Sequence, residues 1–191
     1  EYIRNFIMSK LETNTIDTVS GTTNLTIGST NSSTVTFENG AVTGHMYPAF
    51  EAYLSSNQTV SDSVDTKVQF DTEVFDTDNC YDNTTNYRFT PNVAGKYMIY
   101  GSLRGSANTN LSNLQKVITF IFKNGSQYNA SQFRIDFRNN NGTQASTPFS
   151  QVLEFNGTSD YVEIFAHTDV SADTPIFQAQ STFFGAYRIG A

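Results

Sequence analysis

The densest group of side chains able to do chemistry is a run of carboxylates: Asp71, Glu73, Asp76, Asp78 and Asp82. Hard cations take several oxygen ligands, which a carboxylate-rich loop can supply. An EF-hand would begin correctly at Asp76-x-Asp78. It then fails, because Cys80 and Tyr81 stand where a third ligand and the turn glycine belong, and Tyr87 stands in place of the bidentate Glu. Two expectations remain for this stretch: a solvated loop, or a calcium site of another design on Asp76, Asp78 and Asp82. No other cofactor is expected. Cys80 lies among these acids, which raise a thiol pKa, so it is not expected to act as a nucleophile. The two histidines, His45 and His167, have neither a serine in an elbow-like glycine pattern nor a spaced metal partner. Both are expected to be structural. Carboxylate pairs for glycoside hydrolysis are spatial and leave no trace in spacing. No catalytic residue is expected, and the chain is not expected to be an enzyme.

The elements that must carry these groups follow from composition. The chain has 191 residues and a formal net charge of −7, from 11 Lys+Arg against 18 Asp+Glu. No basic face is available to replace phosphate counterions, so nucleic acid is not an expected partner. No stretch approaches the roughly 18 apolar residues of a membrane helix, and residues 1–10 lack the apolar core of a secretory leader. One cysteine excludes an internal disulfide framework. Asn, Ser and Thr make up about a third of the chain, and they offer the backbone hydrogen bonds that compete with helix. Together with 16 Phe, 10 Tyr and no Trp, this composition predicts an all-β protein with an aromatic core.

Three zones are expected. Residues 1–12 form an N-terminal attachment segment, in which Ile3, Phe6, Ile7 and Leu11 recur at near-helical spacing. It reads equally as a frayed end or a docked helix. Residues 13–46 are nearly free of charge and carry alternating apolar pairs, Leu25/Ile27 and Val35/Phe37, between Gly, Ser, Thr and Asn. One copy of so thin a segment cannot offset its own chain entropy. It is expected to be either a β stalk completed by other copies or a flexible linker. Residues 47–191 read as a head of short strands: Ala49–Leu54, Thr66–Phe70, Tyr87–Phe89, Lys96–Arg104, Lys116–Lys123, Ser131–Phe137, Ser150–Phe155, Tyr161–His167 and Phe177–Tyr187. Turns fall at Asn124-Gly125, Asn139 to Gly142 and Asn156-Gly157. Such a pattern predicts a Greek-key or jelly-roll sandwich. Gly95 admits the turn that sends Tyr97, Ile99 and Leu103 to one face, and Phe183 and Tyr187 share a face across Gly185.

In this zone the chain resembles the globular head of complement component 1q, a member of the tumour necrosis factor-like jelly-roll superfamily. The resemblance rests on five pieces in order: Pro48 to Leu54; Val68-Gln69-Phe70-Asp71; Tyr81-Asp82 followed by Tyr87 to Tyr97; Phe122-Lys123-Asn124-Gly125; and Ser181 to Tyr187. It implies a compact homotrimer, with Phe50, Phe70, Phe89, Tyr97, Phe183 and Tyr187 packing in the core or at the trimer contact. The collagen stem of the family's familiar members is absent, since no Gly-X-Y period exists here. A polar stalk capped by such a head resembles trimeric fibre proteins of bacteriophages, particularly marine ones.

The function expected from these resemblances is that of a virion fibre. Its N-terminal segment and stalk would meet other virion proteins, and its head would bind a host surface glycan or protein, with no membrane insertion. Capsid decoration without a receptor role is one alternative, and a secreted lectin-like innate-recognition module is another. Nine Asn-x-Ser/Thr sequons would carry glycans in the second case only. Ligand contacts are expected in loops, at Tyr81, Asp82, Arg104, Asn108, Arg138, Asn140 and Asp169.

Overall fold

The computed structural model describes residues 47–190 apart from 139 and 180; the expected attachment segment and stalk lie outside the described residues. The head is all-β. In chain order its strands are β1 (Ala49–Tyr53), β2 (Gln58–Thr59), β3 (Thr66–Lys67), β4 (Thr72–Asp76), β5 (Tyr81–Asp82), β6 (Arg88–Phe89), β7 (Gly95–Ala107), β8 (Leu114–Lys123), β9 (Ser126–Gln127), β10 (Phe133–Asp136), β11 (Gln144–Phe155), β12 (Val162–Val170), β13 (Pro175–Phe177) and β14 (Phe183–Gly190). A 3-10 turn at Leu111–Asn113 precedes β8. Among the described residues no helix is long and apolar enough to cross a membrane.

Every pairing is antiparallel. In the first sheet β7 is central, flanked by β11 on one side and by β14 and β13 on the other; β14 continues to β1 and β4, and β13 to β2. The second sheet runs β10-β8-β12-β6-β5, with β3 also on β12 and β9 also on β8. Successive side chains of a strand point to opposite faces, so the odd residues Tyr97, Ile99 and Leu103 of β7 turn inward, as do Leu153 and Phe155 of β11; all are buried. They meet Val117 and Ile121 of β8 and Val162, Ile164 and Ala166 of β12. Two buried hydroxyls, Thr119 Oγ1 and Thr147 Oγ1, join the sheets at 2.6 Å. This pairing keeps two buried polar groups bonded inside the core, whereas Thr168 Oγ1 is buried without a hydrogen-bond partner among the described residues.

The aromatic core is continuous. Phe50 stacks on Tyr81 and Phe89, with ring centroids at 4.5 and 4.6 Å, and meets Phe184 edge-on at 4.9 Å. The Tyr97 hydroxyl donates to Val93 O at 2.7 Å, and burial pushes that phenol up to about 12. The hairpin at Asn124-Gly125 forms as its sequence predicts. Both residues have positive φ, 53° and 78°, and Lys123 pairs with Ser126.

Several expected elements differ: β11 begins at Gln144 and not at Ser150, β3 ends at Lys67 and not at Phe70, and two further spans change in kind. The span Phe177–Tyr187 is not one strand but β13 and β14, broken where Ser181 takes a φ of 66°. The break satisfies its own backbone, because Thr182 Oγ1 accepts from Arg104 N at 3.0 Å and Arg104 O accepts from Gln178 N at 2.8 Å. The acidic run is not simply a loop. Its first half is β4, an edge strand paired with β1 that leaves Val74 and Phe75 exposed.

Candidate functional site

The outer face of the first sheet gathers aromatic side chains that the sandwich does not cover. Register puts Gly185 of β14 opposite Tyr100 of β7 on one side and opposite Glu51 of β1 on the other. Lacking a side chain, Gly185 lets the Tyr100 ring lie across it, and the phenol donates to Glu51 Oε2 at 2.8 Å. A Cβ at Gly185 would stand 2.5 Å from Tyr100 Cζ. The close approach that Gly185 permits is made by a ring and not by backbone. Phe183 and Tyr187 flank that ring at 6.4 and 6.0 Å. Tyr53, Phe75 and Val152 extend the same face and are 40%, 43% and 41% exposed. Burial first, and the Glu51 hydrogen bond second, raise the Tyr100 phenol above its ordinary value. Of the six aromatics expected in the core or at a subunit contact, Phe50, Phe70, Phe89 and Tyr97 are fully buried inside the sandwich. Phe183 and Tyr187 are half-buried on this outer face.

Within the carboxylate run, Asp76 and Asp82 are spent on backbone amides. Asp76 Oδ2 accepts from Tyr81 N at 2.8 Å. The Asp82 carboxylate accepts from the amides of Thr84, Thr85 and Asn86 at 3.1, 2.9 and 3.1 Å. Those bonds, that from Thr85 foremost, hold Asp82 well below the usual carboxylate range. Among the described residues no three His, Cys, Asp or Glu side chains stand together as metal ligands would, so the calcium reading of Asp76, Asp78 and Asp82 gains no support. Cys80 is buried, and its thiol is pushed up by desolvation first and by Asp76 and Asp78 after a partly offsetting backbone bond. Tyr81 is corrected from a loop contact to a core residue. It is 6% exposed, stacked on Phe50, and its hydroxyl donates to Phe70 O at 3.0 Å.

Three of the expected contact loops meet at one end of the sandwich. Asp173 Oδ2 accepts from Thr109 N, Thr109 Oγ1 and Asn110 N at 2.6, 2.7 and 2.9 Å. Asn108 N donates to Thr174 O, and Leu114 bridges to Gly142. Exposed Asn108, Arg138 and Asn140 lie in these loops; Arg138 has a φ of 52° and its amide is fixed by Asp136. Asp82 is at the opposite end, since β5 pairs β6 and β6 pairs the first residue of β12. Asp169 is corrected from loop to strand, and Arg104, expected where a strand passes into a contact loop, lies inside the strand. β7 persists to Ala107 because Gly105, Ser106 and Ala107 still pair with β13, and β12 persists to Val170 against β8. Asp169 there forms an ion pair with Lys116, beside His167, whose Nδ1 lies 2.6 Å from Asp65 Oδ1.

One feature escaped the sequence reading. A cleft of about 280 Å³ opens at the rim where the two sheets meet, lined by Leu54, Ser56, Asn57, Gln58, Thr59, Gln69, Asp71 and Tyr87. Tyr87 has a φ of 49°, an unusual conformation for a bulky side chain. Its lining is drawn from three separated segments, which no local spacing brings together.

The solved structures this head is similar to include the globular domain of zebrafish complement 1qA protein, at 16% identity and a TM-score of 0.51, covering 74% of this chain and 96% of that one. Murine APRIL, in the crystal structure at pH 8.0, is similar at 12% identity and a TM-score of 0.51, covering 74% and 98%. At these identities the likeness shows the fold, a jelly roll of the C1q and tumour necrosis factor type. No family model and no curated protein sequence matches the chain.

Proposed function

We propose that this chain is a non-enzymatic recognition head that assembles as a homotrimer through the outer face of its first sheet. The observation that carries this is the uncovered aromatic surface of Tyr53, Phe75, Tyr100, Phe183 and Tyr187. Contiguous exposed apolar patches on soluble proteins mark interaction sites, and aromatic residues concentrate at the cores of interfaces. A stoichiometry of three is the one implied by the resemblance to C1q heads. Assembly would shelter this face and the outer edge of β11, where Pro148 already breaks the run of backbone donors. It would also place three copies of the loop end around Asp173 side by side, so that weak contacts act together.

In this reading the assembly is the head of a bacteriophage fibre. Residues 13–46 would complete a stalk with the matching segments of two other copies, residues 1–12 would join the virion, and the head would meet the host surface. The support is the polar, low-charge composition of residues 13–46 next to a head of this fold. Light scattering with size exclusion on the full chain and on residues 47–191 tests it. A trimer from both is expected. A monomer from both would overturn it, and glycans found on the natural protein at exposed Asn110 or Asn141 would point instead to a secreted module.

A further inference from the structure

The cleft at the sheet rim is rigidly built on every side. Asp71 clamps the turn after β1, accepting from Ser55 N at 2.8 Å and from Ser55 Oγ at 2.6 Å. Gln58 spans both sheets, donating through Nε2 to Lys67 O at 2.9 Å and accepting at Oε1 from Gln69 N at 3.0 Å. Asn57 Oδ1 accepts from Ala179 N at 3.0 Å. The turn before Tyr87 is held by Asp82, and Lys67 Nζ donates to Asn86 O at 3.2 Å. Among the described residues, the side chain of Gln69 and the hydroxyls of Ser56, Thr59 and Tyr87 make no hydrogen bond within the protein. They face the cleft with their donors and acceptors available.

We infer that this cleft binds one ring of a neutral saccharide, and the inference rests on the reading of the chain as a recognition head. A sugar hydroxyl both donates and accepts, so it matches amides, hydroxyls and a carboxylate together. The Tyr87 ring supplies the apolar contact that the C–H face of a sugar needs. No Lys or Arg lines the cleft, while Asp71 does, which turns away sialic acids, sulfated glycans and phosphates. One carboxylate is too few for a hard cation. The volume lies just under the roughly 300–1,000 Å³ of drug-sized pockets, which suits a single ring. Because the surrounding backbone is already tied by hydrogen bonds, only the unbonded side chains lose freedom on binding.

The test is saturation-transfer NMR on the full chain produced in bacteria, which leaves Asn57 unglycosylated. The probes are glucose, galactose, mannose and N-acetylglucosamine, with N-acetylneuraminic acid as the anionic comparison. Transfer to at least one neutral sugar and none to N-acetylneuraminic acid is expected. Gln69→Ala and Tyr87→Gly should each weaken binding tenfold or more; glycine keeps the positive φ, and Gln69 is exposed, so it can be altered without touching the core. Absence of transfer from every neutral sugar, preference for the anionic one, or binding untouched by Gln69→Ala would overturn the site. Light scattering on the same samples separates the two readings. A trimer that binds no sugar loses the cleft alone, whereas a monomer that binds sugar loses the assembly alone.

Discussion

Tyr100 and Gly185 are matched to one another, and each explains the other's identity. The phenol reaches Glu51 only because nothing projects from Gly185 beneath the ring. Gly185→Ala puts a methyl 2.5 Å from Tyr100 Cζ, and both strands beneath are locked in register, so the ring must move. Overpacking of this kind costs about 1–3 kcal/mol, and thermal unfolding of Gly185→Ala should show a loss in that range. An unchanged Tm would mean that Tyr100 does not lie over Gly185. Tyr81 offers a second test at the same scale. Its hydroxyl is the partner of the buried Phe70 carbonyl, so Tyr81→Phe leaves an acceptor unsatisfied while keeping the ring stack on Phe50. A loss of about 1 kcal/mol is expected in urea unfolding. Binding to any ligand should be unaffected, as Tyr81 is buried.

At the scale of elements, single carboxylates order the connections. Asp82 holds the turn before β6, and Asp173 gathers the Thr109–Asn110 loop. Backbone hydrogen bonds, to Asn110 first for Asp173, hold both carboxyls well below their ordinary values. A group depressed in the folded state contributes stability that is fully present above its unfolded pKa and is lost as pH falls through the folded value. With the unfolded reference near 3.9, that contribution should be complete at neutral pH and decline progressively in acid, below about pH 4. Asp173→Asn should flatten part of that decline, as read from Tm against pH; an identical profile would show that Asp173 does not organise this end. These ties also explain what was legible in the sequence. The β8–β9 hairpin was written locally, in Asn124-Gly125. Strand β4 was not, because as an edge element it exposes Val74 and Phe75 and shows no alternation. The ends of β7 and β12 were hidden likewise, since Gly105, Ser106 and Asp169 pair without looking like strand. The cleft needed Ser56, Gln69 and Tyr87 to meet across two sheets, a long-range fact no window contains.

For the molecule as a whole, the deciding question is what covers the first sheet. Its inner face is filled by Phe50, Phe184, Tyr97 and Leu153, while its outer face carries aromatic side chains that the sandwich leaves uncovered. Phe75 and Tyr53 are the best probes, because both are exposed and neither contributes to the sandwich core. Placing a carboxylate on that surface beside Glu51 adds like charge to an interface that must be desolvated, which interfaces tolerate poorly. Phe75→Glu and Tyr53→Glu should therefore leave the fold intact by circular dichroism, yet lower the mass in light scattering from three copies to one. The shift should be largest in residues 47–191, where no stalk segment is present to hold copies together. If both variants keep the parent's mass in that fragment, the first sheet is not the assembly face. If the unmutated fragment is already a monomer while the full chain is a trimer, residues 1–46 carry assembly on their own, and the head is then a passenger that gains multivalency from its stalk.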